Sequence, residues 1–364
     1  MTRRTVAILG AGNGGRTAAA EFGIAGHDVR LWEAPAFAAG LSGIAEAGRI
    51  QSTGVIEGTA PVTVVPDLAA AVHQADAILV VVPTNHQLTL VRLLAEHLRD
   101  GMHLVLMPGS MGSLAVARFL RDQGVSADVT VSEIAALPYA TRITGPTSVN
   151  VFGRRRIVSV GTFPATRSDE VAEVLDDLYP GIEVMPNVLA AGLSNPNPTL
   201  HCLGILMSAS RIEYSHGEFY YYEEGMTPHV CQAIEAIDAE RLAIGAAFGI
   251  DLLSLKDTYA VMGYGPSGDT FWSVIRGVAP LNGIKGPSVI DSRYLTEDVP
   301  VGLTIYSQIG RAVGCVPVLM ESVIHLTQAL LGSDFAADRR TLDRCGLDGM
   351  DAARMLEFVT TGRS

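Results

Sequence analysis

The run Thr5-Val6-Ala7-Ile8-Leu9, followed at once by Gly10-Ala11-Gly12-Asn13-Gly14-Gly15, constrains the fold more than any other stretch. A short apolar run without polar alternation is what a strand buried on both faces of a parallel sheet requires. Gly10, Gly12 and Gly15 match GxGxxG, and the small residues Thr17-Ala18-Ala19-Ala20-Glu21-Phe22 continue as a helix. In that arrangement Gly10 permits the tight turn and Gly12 lets a pyrophosphate approach the backbone. Gly15 seats the helix on the strand, and the helix N-terminus, with Asn13 beside it, faces the anion. His27–Trp32 reads as the second strand, and Glu33 lies 18 residues after Gly15. A carboxylate at that place binds the ribose 2′-hydroxyl and repels a 2′-phosphate, which favours NADH and leaves NADPH possible. The bland alternatives are an ordinary strand–helix turn and an exposed surface carboxylate.

The alternation continues through Ala77–Val82, a helical run from about Thr89 to Arg99, and His103–Met107. Strands alternating with helices imply a doubly wound parallel sheet whose ligand crevice lies at the carboxyl ends of the strands. Pro83, Thr84, Asn85 and His86 fall at that edge, as does Pro108–Gly112. They are candidates to line a nicotinamide pocket, or they are a capped turn. Further short strands are expected at Val129–Glu133, Ser148–Val151, Arg156–Val160 and Gly181–Met185, completing the sheet near residue 185. Arg142, beside the expected cleft, is a carboxylate clamp or a structural ion-pair partner.

Beyond Asn195 the pattern changes to long helical periods, at Pro198–Tyr214, Thr227–Phe248, Gly302–Val313 and Pro317–Leu331. The expected plan is a Rossmann-type α/β domain over residues 1–188 and an all-α domain over 189–364, which resembles the two-domain plan of 6-phosphogluconate dehydrogenase. Asn197 is a good N-cap and Pro198 fits a first helical turn, which puts His201 about one turn in. A histidine there is a proton donor or acceptor near neutral pH, or it is satisfied inside a helix–helix contact. Cys202 cannot pair with it face to face, because adjacent helical residues point about 100° apart. Tyr220-Tyr221-Tyr222 either wall a substrate pocket or pack between helices. Asp298 reads from its spacing as a helix cap; a buried carboxylate would instead orient an imidazole.

Composition narrows the function classes. A formal net charge of −12 argues against a nucleic-acid partner, and no apolar run is long enough for a membrane span. Four scattered cysteines suggest neither a zinc site nor a disulfide framework. Met1–Arg4 carries no signal-peptide pattern, so a cytoplasmic protein is expected.

With these residues assembled, the chain resembles the opine dehydrogenases of the octopine/nopaline type over nearly its whole length. The resemblance rests on Gly10–Gly15, Leu137–Arg142, Asn197-Pro198 with His201, Tyr222–Pro228 and Arg293–Pro300. It implies reductive condensation of an amino acid or amine with a 2-oxo acid such as pyruvate, using NAD(P)H. It further implies a His–Asp pair for proton transfer, here His201 and Asp298. Arg293 and Arg142 are then expected to hold substrate carboxylates, with Tyr222 nearby, and the helical half to form a homodimer. A ketopantoate-reductase-like enzyme is the nearest rival. That family places a lysine in the cleft, and the only lysines here are Lys256 and Lys285. A non-catalytic NAD-sensing protein would need Glu33 but neither His201 nor Asp298.

Overall fold

The computed structural model describes residues 2–263 and 265–363, and the chain divides into two compact units. The first comprises Met1–Gly192 with Val359–Gly362, the second Leu193–Phe358 with Arg363–Ser364.

Twelve strands build the first unit. They are β1 (Thr5–Leu9), β2 (Asp28–Trp32), β3 (Arg49–Gly54), β4 (Gly58–Pro61), β5 (Thr63–Val64) and β6 (Ala77–Val80), then β7 (His103–Leu106), β8 (Thr130–Ile134), β9 (Tyr139–Gly145), β10 (Ser148–Arg154), β11 (Ser159–Phe163) and β12 (Glu183–Val184). Eight form one sheet in the order β12-β11-β8-β7-β6-β1-β2-β5, parallel except where β11 runs against β8. Val6 and Ile8 of β1 join the core on one face, while Ala7 and Leu9 join the core on the other. That two-sided burial is why the strand reads as an unbroken apolar run. Strand order reverses at β1, which has β2 on one side and β6 on the other. The crevice outside the carboxyl end of β1 is therefore the topological switch point.

The strands do not all enter this sheet, contrary to the expectation of a single sheet closing near residue 185. A separate four-stranded sheet runs β4-β3-β10-β9. β9 and β10 leave the main sheet because β10 pairs in parallel with β3, nearly a hundred residues earlier. β3 alternates buried Ile50 and Ser52 with exposed neighbours, so it covers one face only.

The second unit is helical, with a lone β-bridge between Tyr220 and Lys285 among its described residues. Helices Asn197–Met207 and Ala209–Ser215 divide the single helix expected over Pro198–Tyr214, and Pro228–Ala247, Thr304–Ala312 and Val318–Leu331 supply the rest of the bundle. Gly249 adopts φ +69°, and Ile250 N–H reaches back to the Gly245 carbonyl, closing the long helix with a left-handed glycine. Two segments have π-helical turns, Tyr221–Gly225 and Asp298–Leu303. Among the described residues no helix is long and apolar enough to cross a membrane.

Candidate active site

In the first unit the glycine turn shows which glycines the fold itself demands. Gly10 has φ +109°, and a Cβ there would lie 2.3 Å from the Val81 carbonyl oxygen. A Cβ on Gly15 would lie 1.8 Å from the Gly10 oxygen, backbone against backbone. Gly12 differs: its φ is −71°, which any residue adopts, and a Cβ there would meet nothing within 4 Å. Packing explains two of the glycines. The open surface over Gly12, at the start of the helix Asn13–Ile24, is the shape a pyrophosphate requires, so these residues fit a bound dinucleotide.

The turn is braced on several sides. Gly10 N–H donates to the Trp32 carbonyl, which brings Glu33 alongside. Glu33 Oε2 accepts from Ala11 N–H and Oε1 from Ala34 N–H, both at 2.8 Å. Asn13 Oδ1 accepts from Ile143 N–H at 2.8 Å, tying the helix start to β9. Arg16 escaped the sequence reading. It is buried, and its guanidinium donates to the carbonyls of Ala11, Gly40 and Pro146, stitching three segments together. Burial lowers its pKa from the ordinary value, and the charge of Glu33 acts in the opposite sense. Its signal in the sequence was a charged residue directly after the last glycine of a turn, where the helix must be buried.

At the neighbouring strand ends, Pro83 opens a single 3-10 turn, Thr84–His86, directly after β6. Thr84 is buried, and Asn85 keeps a buried Oδ1 with no hydrogen-bond partner among the described residues. After β7, the fully buried Glu133 carboxylate accepts from Met111 N–H, Ser113 N–H and Ser113 Oγ. Arg142 is exposed on β9, and its guanidinium donates to the Thr141 carbonyl.

In the second unit a different group forms around His201. The chain enters its helix through Asn195-Pro196-Asn197-Pro198. Asn197 does not cap this helix; Asn195 Oδ1 accepts the N–H of Asn197 instead, at 3.1 Å. Both prolines lack an N–H, so the Asn197 amide is the only backbone donor among residues 196–198, and the residue two positions before it is placed to accept. Gly302 lies against the Pro198 ring, where a Cβ would sit 2.2 Å from Pro198 Cγ. That close approach packs the turn Asp298–Leu303 onto the helix bearing His201.

The result is a short polar chain. His201 Nδ1 lies 2.8 Å from Asp298 Oδ2, and His201 Nε2 lies 3.2 Å from the Tyr222 hydroxyl. The histidine is 9% exposed and Tyr222 5%. Asp298 is the first residue of the turn, with Glu297 in the N-cap position, so the cap that spacing favours is not formed. Burial raises the Asp298 carboxyl above its ordinary pKa, while the hydrogen bond and charge of His201 pull it down. Both partners of His201 sit on the π-helical turns, where i→i+5 geometry re-aims side chains inside an otherwise regular element.

Aromatic rings enclose the chain. The Tyr294 ring stands edge-on to His201 at 4.6 Å, Tyr221 stacks on Tyr294, and the Tyr221 hydroxyl donates to the His201 carbonyl. Gly204 makes room for that hydroxyl, which a Cβ would meet at 2.3 Å. Cys202 is fully buried with its thiol directed at the Tyr294 carbonyl, and burial holds its pKa well above the usual thiol range. Arg293 is largely exposed and donates from Nε and Nη2 to one oxygen of the buried Glu297. The structure thus brings His201, Asp298 and Tyr222 together, while Arg293 lies in their unit and Arg142 in the other. Among the described residues no group of three or more His, Cys, Asp or Glu side chains is arranged to hold a metal ion.

A glycine turn at the switch point of a doubly wound sheet, with a helical unit carrying a part-buried histidine–carboxylate pair, defines a two-domain dinucleotide-dependent dehydrogenase. Residues 184–331 match the family model for the alpha-helical domain of NAD/NADP octopine/nopaline dehydrogenase. Residues 5–119 match that for the N-terminus of NAD-dependent glycerol-3-phosphate dehydrogenase. The chain is 34% identical to an opine dehydrogenase of Arthrobacter sp. (strain 1C) over 359 residues, 98% of this chain and 99% of that protein. A solved structure of octopine dehydrogenase with NADH and agmatine shares the fold at TM-score 0.77 and 18% identity, covering 99% of this chain and 98% of the other. Yersinopine dehydrogenase with NADP+ follows at TM-score 0.70 and 16% identity, covering 98% of each. The chain belongs to the opine dehydrogenase family. It is an NAD(P)-dependent oxidoreductase acting on CH–NH donors, by opine-type reductive condensation.

Proposed function

We propose that the enzyme joins the amine of an amino acid, or a simple amine, to a 2-oxo acid such as pyruvate, with NADH as the preferred reductant and NADPH as the alternative. The observation that carries the proton chemistry is the part-buried hydrogen bond between His201 Nδ1 and Asp298 Oδ2. With Nδ1–H held by the carboxylate, Nε2 is the nitrogen that gains and loses a proton. Asp298 fixes that tautomer and stabilises the imidazolium once formed. Reversal of the same proton transfers serves the oxidative direction. Arg293 and Arg142 are assigned to substrate carboxylates. The guanidinium of Arg293 keeps its outer edge in solvent while Glu297 grips the inner one.

The preference for NADH is supported by Glu33, whose carboxylate stands at the glycine turn and opposes a 2′-phosphate. Gly10, Gly12, Gly15 and Asn13 hold the pyrophosphate end, and Pro83 and Thr84 form the edge expected to meet the nicotinamide. When bound, the cofactor supplies hydride to the imine carbon. The helical unit is assigned a homodimer contact through the helix Val318–Leu331, which exposes Val318, Leu319, Leu326 and Leu330.

The test is NADH oxidation with pyruvate, with and without a panel of amino acids and simple amines. The expected result is oxidation that requires both partners, with a secondary amine in the mass spectrum. His201→Ala should lower kcat by about 10²–10⁴-fold and leave NADH binding intact. Oxidation with the oxo acid alone would replace this reading with that of a ketone reductase.

A further inference from the structure

The chain from Asp298 through His201 does not end at the imidazole. Both ring nitrogens are engaged, Nδ1 by Asp298 and Nε2 by Tyr222, so a substrate atom finds neither one free. Among the described residues the Tyr222 hydroxyl makes no second hydrogen bond, although a phenol both donates and accepts. When His201 is neutral, Tyr222 O–H donates to the Nε2 lone pair and is satisfied. When His201 is protonated at both nitrogens, Nε2–H donates to the Tyr222 oxygen, and the Tyr222 proton then has no protein acceptor among the described residues. An unpaired buried donor is destabilising, and an oxygen or nitrogen of a bound substrate relieves it. The unmet need appears only in the protonation state that drives acid catalysis.

We propose that Tyr222 is the catalytic group that touches the substrate, relaying the proton between His201 and the reacting atom. The proposal rests on the assignment of His201 as acid and base. The step is the dehydration of the carbinolamine formed when the amine adds to the oxo acid. The C–O bond breaks as the nitrogen lone pair forms C=N, and the departing oxygen takes the Tyr222 proton and leaves as water. The Tyr222 oxygen takes the Nε2 proton in the same motion. His201 becomes neutral, and the positive charge it loses appears on the iminium. Tyrosinate is never formed, in keeping with the burial that pushes the Tyr222 hydroxyl well above the usual phenol range. The Tyr222 ring stands edge-on to Tyr221 at 4.8 Å, and among the described residues its hydroxyl has His201 as its hydrogen-bond partner.

The experiment compares Tyr222→Phe and His201→Gln with the wild-type enzyme for turnover, NADH Kd by fluorescence, thermal midpoint and rate in H2O/D2O mixtures. The relay expects Tyr222→Phe to keep its fold and NADH Kd while kcat falls by about 10²-fold. It also expects a bowed dependence on deuterium fraction in the wild type, since two protons move together. Tyr222→Phe turnover within twofold of wild type, with His201→Gln inactive, overturns the relay and leaves His201 in place. Turnover retained by His201→Gln overturns the underlying assignment instead. If the Phe variant does not fold, the wild-type deuterium dependence decides alone, a straight line being the refuting result.

Discussion

Substituting alanine separately at Gly12 and Gly15 distinguishes a glycine kept for a ligand from one kept for the fold. At Gly15 the new methyl would sit 1.8 Å from the Gly10 oxygen, and both sides of that contact are backbone. Neither can turn away as a side chain would, so the helix must lift off the strand, at a cost of about 3 kcal/mol or more. For a unit of this size that is a fall in Tm of about 6–12 °C. At Gly12 the methyl meets nothing within 4 Å and the backbone is in an ordinary region. Losing a glycine N-cap and stiffening the unfolded chain act in opposite directions there, leaving a net change within about 1 kcal/mol. The same methyl occupies the surface assigned to the pyrophosphate. Displacing that group from the helix N-terminus should cost about 2 kcal/mol of binding, roughly a 30-fold rise in NADH Kd. Thermal unfolding without cofactor and an NADH fluorescence titration read the two effects separately. The reasoning fails if Gly12→Ala binds NADH as the wild type does, or if it loses as much Tm as Gly15→Ala.

Two further outcomes are expected. Glu33→Ser should weaken NADH and relax discrimination against NADPH, measured as the ratio of kcat/KM for the two; an unchanged ratio would make Glu33 a structural support for the Ala11 and Ala34 N–H groups. Asp298→Asn should raise Tm at neutral pH while lowering turnover at least about 10-fold. The folded-state pKa of Asp298 is raised, chiefly by burial, so the folded state holds this proton more tightly than the unfolded chain does. Its contribution to stability is complete below the unfolded carboxyl pKa and is lost as pH rises through the folded one. The gain in Tm from the asparagine should therefore vanish on acidification towards about pH 4, and a gain that is independent of pH would refute the assignment.

What the sequence revealed followed from what each residue can do alone. The glycine turn was legible because close backbone approach admits only glycine at Gly10 and Gly15. β1, β6 and β7 were legible because burial on both faces leaves no polar residue beyond the first position of each run. The second sheet was not, since β3 and β4 are short, half exposed and polar, and nothing local in β10 announces a parallel partner a hundred residues away. At the helical end, spacing pointed Asp298 to a cap, because a carboxylate before an apolar helical run is normally one. The π-helical turn that redirects it contains Pro300 and depends on Gly302 packing against Pro198, a contact between segments a hundred residues apart. Tyr222 stood out only as one of three consecutive tyrosines. That its hydroxyl, and neither of its neighbours', meets His201 Nε2 is a property of the turn Tyr221–Gly225.

The position of Asp298 argues for function because stability argues against it. A carboxylate that served the fold would cap the helix at the surface, where ionisation costs little and the helix dipole rewards it. This one is largely withdrawn from solvent, with its pKa raised, and its side chain is hydrogen-bonded to a histidine that is itself buried. An apolar residue of similar size would satisfy packing at lower cost. The pair also needs a π turn, two prolines flanking an asparagine, and glycines at 204 and 302 cleared for a hydroxyl and a proline ring. Local rules are broken together at one place, and the groups they bring into line form a path for a proton from Asp298 through His201 to the Tyr222 hydroxyl.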